Sequence, residues 1–199
     1  MAGSHTTIKT GLCAGVAAVA LCATGVFAQQ PPPAQPPQTR GATGVTAPRA
    51  NNADESFVVK TAQANMAEVE LGKMATEKAS SSNVKSFGQR MVDDHTKAGD
   101  ELKSIAKTKN VMLPSTLDPK HQALHDRLMN LSGDAFDRAY MQAMVSGHKE
   151  VASALQKESK SGKDPEVKAW AAKTLPTVEE HLKEAESANK VVGTSGKKP

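Results

Sequence analysis

Three histidines, His95, His148 and His181, fall in stretches where apolar residues recur at helical spacing. His148 belongs to AFDRAYMQAMVSGHKEVASAL and His181 to VKAWAAKTLPTVEEHLKEAES, while Asp94 directly precedes His95. Glu68 stands in the middle of an earlier apolar stripe. Carboxylate and imidazole together suit Zn, Fe, Mn or Cu(II), so Glu68, Asp94, His95, His148 and His181 are the candidate ligands of a transition-metal ion. The competing reading is a buried hydrogen-bond network that fixes helix register. Both follow from one constraint: a polar group on an apolar face must be paired, neutralised or bound to a cation.

A sharper variant pairs Met91 with His95 and Met144 with His148, each four residues apart. Soft Met plus His suits Cu(I), although methionines on helical stripes ordinarily fill core gaps. His121 and His125 are a further pair at that spacing; without a third ligand such a pair marks a solvated edge. Nucleophilic catalysis finds no support, because no Gly-x-Ser-x-Gly elbow is present and both cysteines, Cys13 and Cys22, lie in the amino-terminal apolar run. No phosphate-cradling glycine loop or dinucleotide fingerprint occurs. Tyr140 and Trp170 lie on helical stripes and read as core aromatics.

The positioning elements are helices. Aromatics are 3% of the chain, so Ala, Val, Leu and Met must build the core, which suits closely packed helices better than a sheet. A first helix is predicted over about 54–79, opened by Asn52 or Asp54 as a cap, with Phe57, Thr61, Ala64, Glu68, Leu71 and Ala75 on one face. A second runs to about Lys107, its stripe formed by Val84, Phe87, Met91, Ala98, Leu102 and Ile105. Asp94 falls on that stripe and His95 at its edge. A short helix near 119–131 turns Leu124, Leu128 and Leu131 inward. The fourth, about 134–159, carries Phe136, Tyr140, Met144, Val151 and Leu155, with Asp137 on nearly the same line as His148. The last, about 165–190, carries Val167, Trp170, Val178, His181 and Ala185. Pro176 is expected to kink it or restart it one turn before His181.

Ahead of these helices, residues 1–28 read as a cleaved secretory signal, with Lys9 before GLCAGVAAVALCATGVFA. An uncleaved anchor is the rival, though this run is rich in Gly and Ala and near the lower length limit for a span. Residues 29–52 are dense in Pro and Gln and read as a disordered, semi-rigid linker. Residues 191–199 read as a disordered basic tail after a bundle domain over 53–190. The expected location is therefore the periplasm or cell envelope, with no membrane span in the mature chain. Net charge is +4 with both signs interleaved. No basic stripe with aromatics appears, so a nucleic-acid partner is not expected. An envelope protein or cell-surface component is the partner class that remains.

Four motifs, ESFVVKTAQANMAEVELGKMA, FGQRMVDDHTKA, AFDRAYMQAMVSGHKEV and TLPTVEEHL, occur in that order. Over about 53–190 the chain resembles a bacterial family catalogued as domain of unknown function four-one-four-two, exported proteins of the ferritin-like superfamily. The resemblance implies an all-α, ferritin-like four-helix bundle with an additional short helix. Ferritin-like di-iron centres take Glu-x-x-His from two helices. Here Val92, Val145 and Val178 stand three residues before the histidines, and the sole acid-x-x-His match is Asp118 to His121 across Pro119. A standard di-iron centre is not expected. The sequence favours a non-enzymatic, binding or stress-associated envelope protein, with a metal-binding or metal-dependent redox protein as the alternative.

Overall fold

The computed structural model describes residues 52–195. The predicted signal (1–28) and nearly all of the predicted linker lie outside these residues, as does the end of the predicted tail. Among the described residues the chain is wholly helical: α1 (Asn52–Lys78), α2 (Ser82–Thr108), α3 (Pro119–Met129), α4 (Gly133–Ser161) and α5 (Pro165–Ser195). α1 and α2 form one hairpin and α4 and α5 another; α1 also packs on α4 and α2 on α5, which closes a four-helix bundle. The short α3 lies in the long connection and rests on α1 and α4. No helix among the described residues is long and apolar enough to cross a membrane.

Two boundaries differ from the sequence reading. α5 runs without a break through Pro176 and past Lys190 to Ser195. Packing on both sides of Pro176, by Val167 and Ala171 before it and by Val178, Ala185 and Val192 after it, outweighs the one lost backbone bond. Asp54 sits in the first turn of α1, but its carboxylate serves a different helix, as described below.

The core has two apolar clusters stacked along the bundle. One gathers Leu71, Phe87, Met91, Leu128, Phe136, Tyr140 and Met144; the other gathers Val58, Leu102, Leu155, Val167, Trp170 and Val178. Tyr140 stacks on Phe136 and Trp170 meets Phe57 edge-on, so both act as core aromatics. On each long helix the polar residues fall between the clusters: Asn65 and Glu68 on α1, His95 on α2, His148 on α4 and His181 on α5. One level of the bundle is thus polar, with an apolar layer on either side.

The hairpins are joined by exchanged carboxylates. Asp137 of α4 accepts from the backbone N–H groups of Ser80 (3.1 Å) and Ser81 (2.8 Å) and from the Ser80 hydroxyl (2.7 Å). It thereby caps α2, whose own N-cap residue Ser81 makes no side-chain cap bond. At the opposite end, Asp54 of α1 accepts from the N–H groups of Lys163 (3.1 Å) and Asp164 (2.7 Å) in the turn before α5. Asp164 in turn accepts from Glu166 and Val167, and its other oxygen pairs with Lys109 at 2.8 Å.

α1 and α2 touch backbone to backbone at Gly72 and Gly88. A Cβ on Gly88 would stand 2.8 Å from the Ala75 Cβ and 2.9 Å from the Gly72 carbonyl oxygen. Gly88→Ala is expected to destabilise the bundle, since overpacking costs about 1–3 kcal/mol and the gain in helix propensity recovers only about 1 kcal/mol. Gly99→Ala meets nothing nearer than the Asn65 Cβ at 3.9 Å and is expected to stabilise by up to about 1 kcal/mol. Denaturant midpoints of the two variants check this; shifts in the same direction would refute the close-contact argument. Asp137→Ala removes the acceptor of three donors and is expected to cost about 1–3 kcal/mol, against no more than a few tenths for the exposed Asp134→Ala.

Candidate metal centre

His95, His148 and His181 come from three helices into one buried cluster. Their exposures are 5%, 1% and 1%, and one nitrogen from each ring lies within 4.8 Å of the others. Ring centroids stand 5.7 Å apart for His95–His148, 5.4 Å for His95–His181 and 5.5 Å for His148–His181, a nearly equilateral triangle. Phe87 closes one side, 6.3 Å from the His148 ring.

Each ring is held by one oxygen. The His95 Nδ1 lies 2.7 Å from the Asn65 amide oxygen, the His148 Nδ1 2.9 Å from the Met144 carbonyl, and the His181 Nε2 2.8 Å from an Asp94 carboxylate oxygen. All three oxygens accept, so those nitrogens donate and carry the ring protons. The nitrogens left over, His95 Nε2, His148 Nε2 and His181 Nδ1, therefore bear lone pairs, and all three are buried without a hydrogen-bond partner. This is the arrangement of a metal-binding histidine, whose far N–H is oriented by a carboxylate or carbonyl while the other nitrogen is free to ligate.

Burial favours the neutral form of His95 and of His181. Burial first, then the neighbouring His148 and His181, push His95 down to about 3. Burial also lowers His181, although its bond to Asp94 pulls the other way. At Asp94 partial burial is the largest influence and would raise the carboxyl, but hydrogen bonds from His181 and Arg90 together hold it below the usual range. Arg90, four residues before Asp94, donates to it at 3.2 Å and also bonds Glu180 and Glu184 on α5.

The five predicted ligands are not equivalent. The three histidines converge. Asp94 stands behind His181, with its side chain 35% exposed and its hydrogen bonds made to His181 and Arg90. The sequence stripe placed Asp94 inward and His95 at the edge; the structure reverses this. α2 packs between α1 and α5, which centres its buried arc on Val84, Gly88, Met91, His95 and Leu102. Glu68 lies on the other side of the cluster, its Oε1 3.9 Å from the His148 Nδ1 and its Oε2 buried without a partner. Burial raises its pKa against the opposing attraction of His148 and His121, and its charge, after burial, helps raise Tyr140 well above its ordinary value. Glu70 is exposed, as its position off the stripe implies.

Other sequence candidates resolve into local structure. Asp118 caps α3, accepting from the His121 N–H at 2.9 Å and meeting the His121 ring at 2.7 Å. His125 turns instead to Asp126, at 3.2 Å. Met91 and Met144 belong to the apolar cluster; it is the Met144 carbonyl that reaches His148. Two residues were missed, Asn65 and Arg90. Their signals were spacing alone: Asn65 lies one turn before Glu68, and Arg90 and Asp94 form an i, i+4 opposite-charge pair.

A groove of about 1010 Å³ runs between α1, α3 and α4, with Ala67, Leu71, Leu124, Met144 and Val151 among its apolar walls. Glu68, Gly147 and His121 also line it. Glu68 thus borders both the groove and the histidine cluster.

Several solved structures share this fold. A DUF305 fragment from Deinococcus radiodurans is 16% identical, with a TM-score of 0.64 over 74% of this chain and 99% of that one. CopM in its Cu(II)-bound form is 16% identical, with a TM-score of 0.59 over 69% and 95%. CopM in an Ag-bound form is 17% identical, with a TM-score of 0.56 over 67% and 93%. At such identities the likeness establishes the helical bundle and nothing finer. Among curated proteins no sequence matches. The family described as "Domain of unknown function (DUF4142)" matches residues 40–188, which takes in α1 to α4, most of α5 and all three converging histidines, and the chain belongs to that family.

Proposed function

We propose that this protein binds one transition-metal ion through His95, His148 and His181, and that copper is the ion it takes. The observation that carries the reading is the set of three buried, unpartnered imidazole nitrogens, each on a ring oriented from behind by an oxygen. Three imidazoles bound to an ion at about 2.0–2.1 Å place their nitrogens roughly 3.3–3.6 Å apart, so closing on an ion asks for a small inward movement of each ring. Nitrogen donors rank copper highest among the divalent first-row ions. The donor set is neutral and brings no countercharge into the core, so a singly charged ion is cheaper to bury there than a doubly charged one. Cu(I) in three-fold nitrogen coordination is the expected resting species. That CopM, a similar bundle, has been solved with Cu(I), Cu(II) and Ag is support from fold alone. Exported binding without catalysis stays the broader role, because a closed site with three neutral donors offers no activated nucleophile.

Elemental analysis of protein purified from a bacterial periplasm, without chelator or affinity-tag histidines, is expected to find close to one copper per chain. His148→Gln should lose most of it, and Asp94→Asn should weaken affinity roughly 10–100-fold by loosening His181. A folded parent that takes up none of Cu, Zn, Fe or Mn would leave the cluster as a structural network.

The metal-free protein makes a separate pH prediction. His95 stays neutral in the fold down to about 3, whereas in the unfolded chain it gains its proton near 6.5. Between those values the unfolded chain holds the extra proton, so this contribution is complete above about 6.5 and is lost as pH falls toward 3. The slope is at most about 1.4 kcal/mol per pH unit for this ring. Glu68, raised by burial above its ordinary 4.5, acts in the opposite sense above that value. Denaturant midpoints of the metal-free parent are expected to fall between pH 7 and 5, and His95→Phe to flatten that slope by about one proton. Equal slopes would mean that His95 protonates inside the fold.

A further inference from the structure

The histidine cluster is buried, yet an ion must reach it, and two faces of the bundle approach it. On the α2–α5 face the nearest group is Asp94. Its inward oxygen already accepts from both His181 and Arg90, and the Arg90 guanidinium is itself held by Glu180 and Glu184. A cation arriving there finds the inner oxygen of Asp94 already taken by two donors, and Glu180 and Glu184 already engaged by Arg90. On the α1–α4 face the groove leads to Glu68, whose Oε2 is buried without a partner and whose Oε1 lies 3.9 Å from His148.

We infer that the groove between α1, α3 and α4 is the loading route for the metal ion, with Glu68 as a transit ligand between His121 nearer the surface and the histidine cluster within. This rests on the proposed metal site. His121 is 22% exposed at its side chain, Glu68 10% and His148 1%, so nitrogen and oxygen donors succeed one another with increasing burial. The rotamer of His121 is set by Asp118 at 2.7 Å through Nδ1, which leaves Nε2 as the atom available to an ion. Opposing cations in the groove are few: Lys120 is paired with Glu150 at 2.5 Å, leaving Lys60 and Arg127 among the lining residues. Gly147 stands opposite Glu68, where a Cβ would reach Oε1 at 3.5 Å, an ordinary contact. The absence of a side chain there keeps the throat open, and a larger residue would fill it.

The test is a loading rate. The full chain, metal-free, is mixed with Cu(I) under anaerobic conditions, quenched at set times with excess chelator, desalted and assayed for retained copper. Glu68→Gln is expected to slow uptake at least several-fold. Gly147→Val is expected to slow uptake and chelator-driven release alike while reaching the parent's final copper content, with its fold checked by circular dichroism. The double variant Glu180→Gln, Glu184→Gln, which alters the opposite face, is expected to load at the parent rate. Parent-like loading by both groove variants, or slowed loading by the double variant alone, would overturn the route. If the parent itself retains no copper, the metal site fails and the route with it; if the parent loads and only the route variants disagree, the site stands.

Discussion

Three buried imidazoles from three helices, each with one nitrogen that has no hydrogen-bond partner, form the constraint on which this bundle turns. Each ring uses its one N–H on an oxygen behind it, so no proton is left to satisfy the nitrogens that remain. Protonating His95 would bury a positive charge against two other imidazoles, and burial already drives it far below its ordinary value. An apolar replacement would be the simpler way to fill such a layer, since buried polar groups cost free energy unless paired. A cation bound as proposed would remove that cost by accepting the three lone pairs.

The rest of the fold works to hold that layer. Apolar clusters above and below it exclude water and fix the height of each long helix. The backbone contact at Gly72 and Gly88 draws α1 and α2 together about two turns from Asn65 and His95, whose bond orients the first ring. Asp137 and Asp54, one at each end, tie the turn of one hairpin to the first helix of the other. Sliding one hairpin along the other would break these caps together, so the level of His95 on α2 and His148 on α4 is set by bonds made far from both.

The two sides of the site are built differently. At Asp94, Arg90 neutralises and immobilises the carboxylate, so that its role is to orient His181. At Glu68 no cation is in contact; the nearest positive influence is imidazole, and burial leaves the carboxyl with a raised affinity for its proton. Two acids beside the same histidine cluster thus have different surroundings, one held by an arginine and one without a cation in contact.

Much of the fold was legible in the sequence. Helical periodicity placed the five helices and their apolar faces, and the low aromatic content pointed to close helix packing, because these depend on residues near one another in the chain. That His148, His181 and Glu68 face inward was legible for the same reason. The exchange of roles between Asp94 and His95 was not: adjacent residues differ by about 100° around a helix, and only the positions of α1 and α5 decide which of the two is central. Asp137 looked aligned with His148 along α4 but bonds to Ser80 and Ser81, and Asp54 looked like a cap of its own helix but serves α5. Pro176 looked like a break, yet contacts on both sides carry α5 through it. Periodicity by itself determined which face of each helix is apolar; the convergence of three histidines from three helices, and the oxygens that hold each ring, came only from the packing of distant segments.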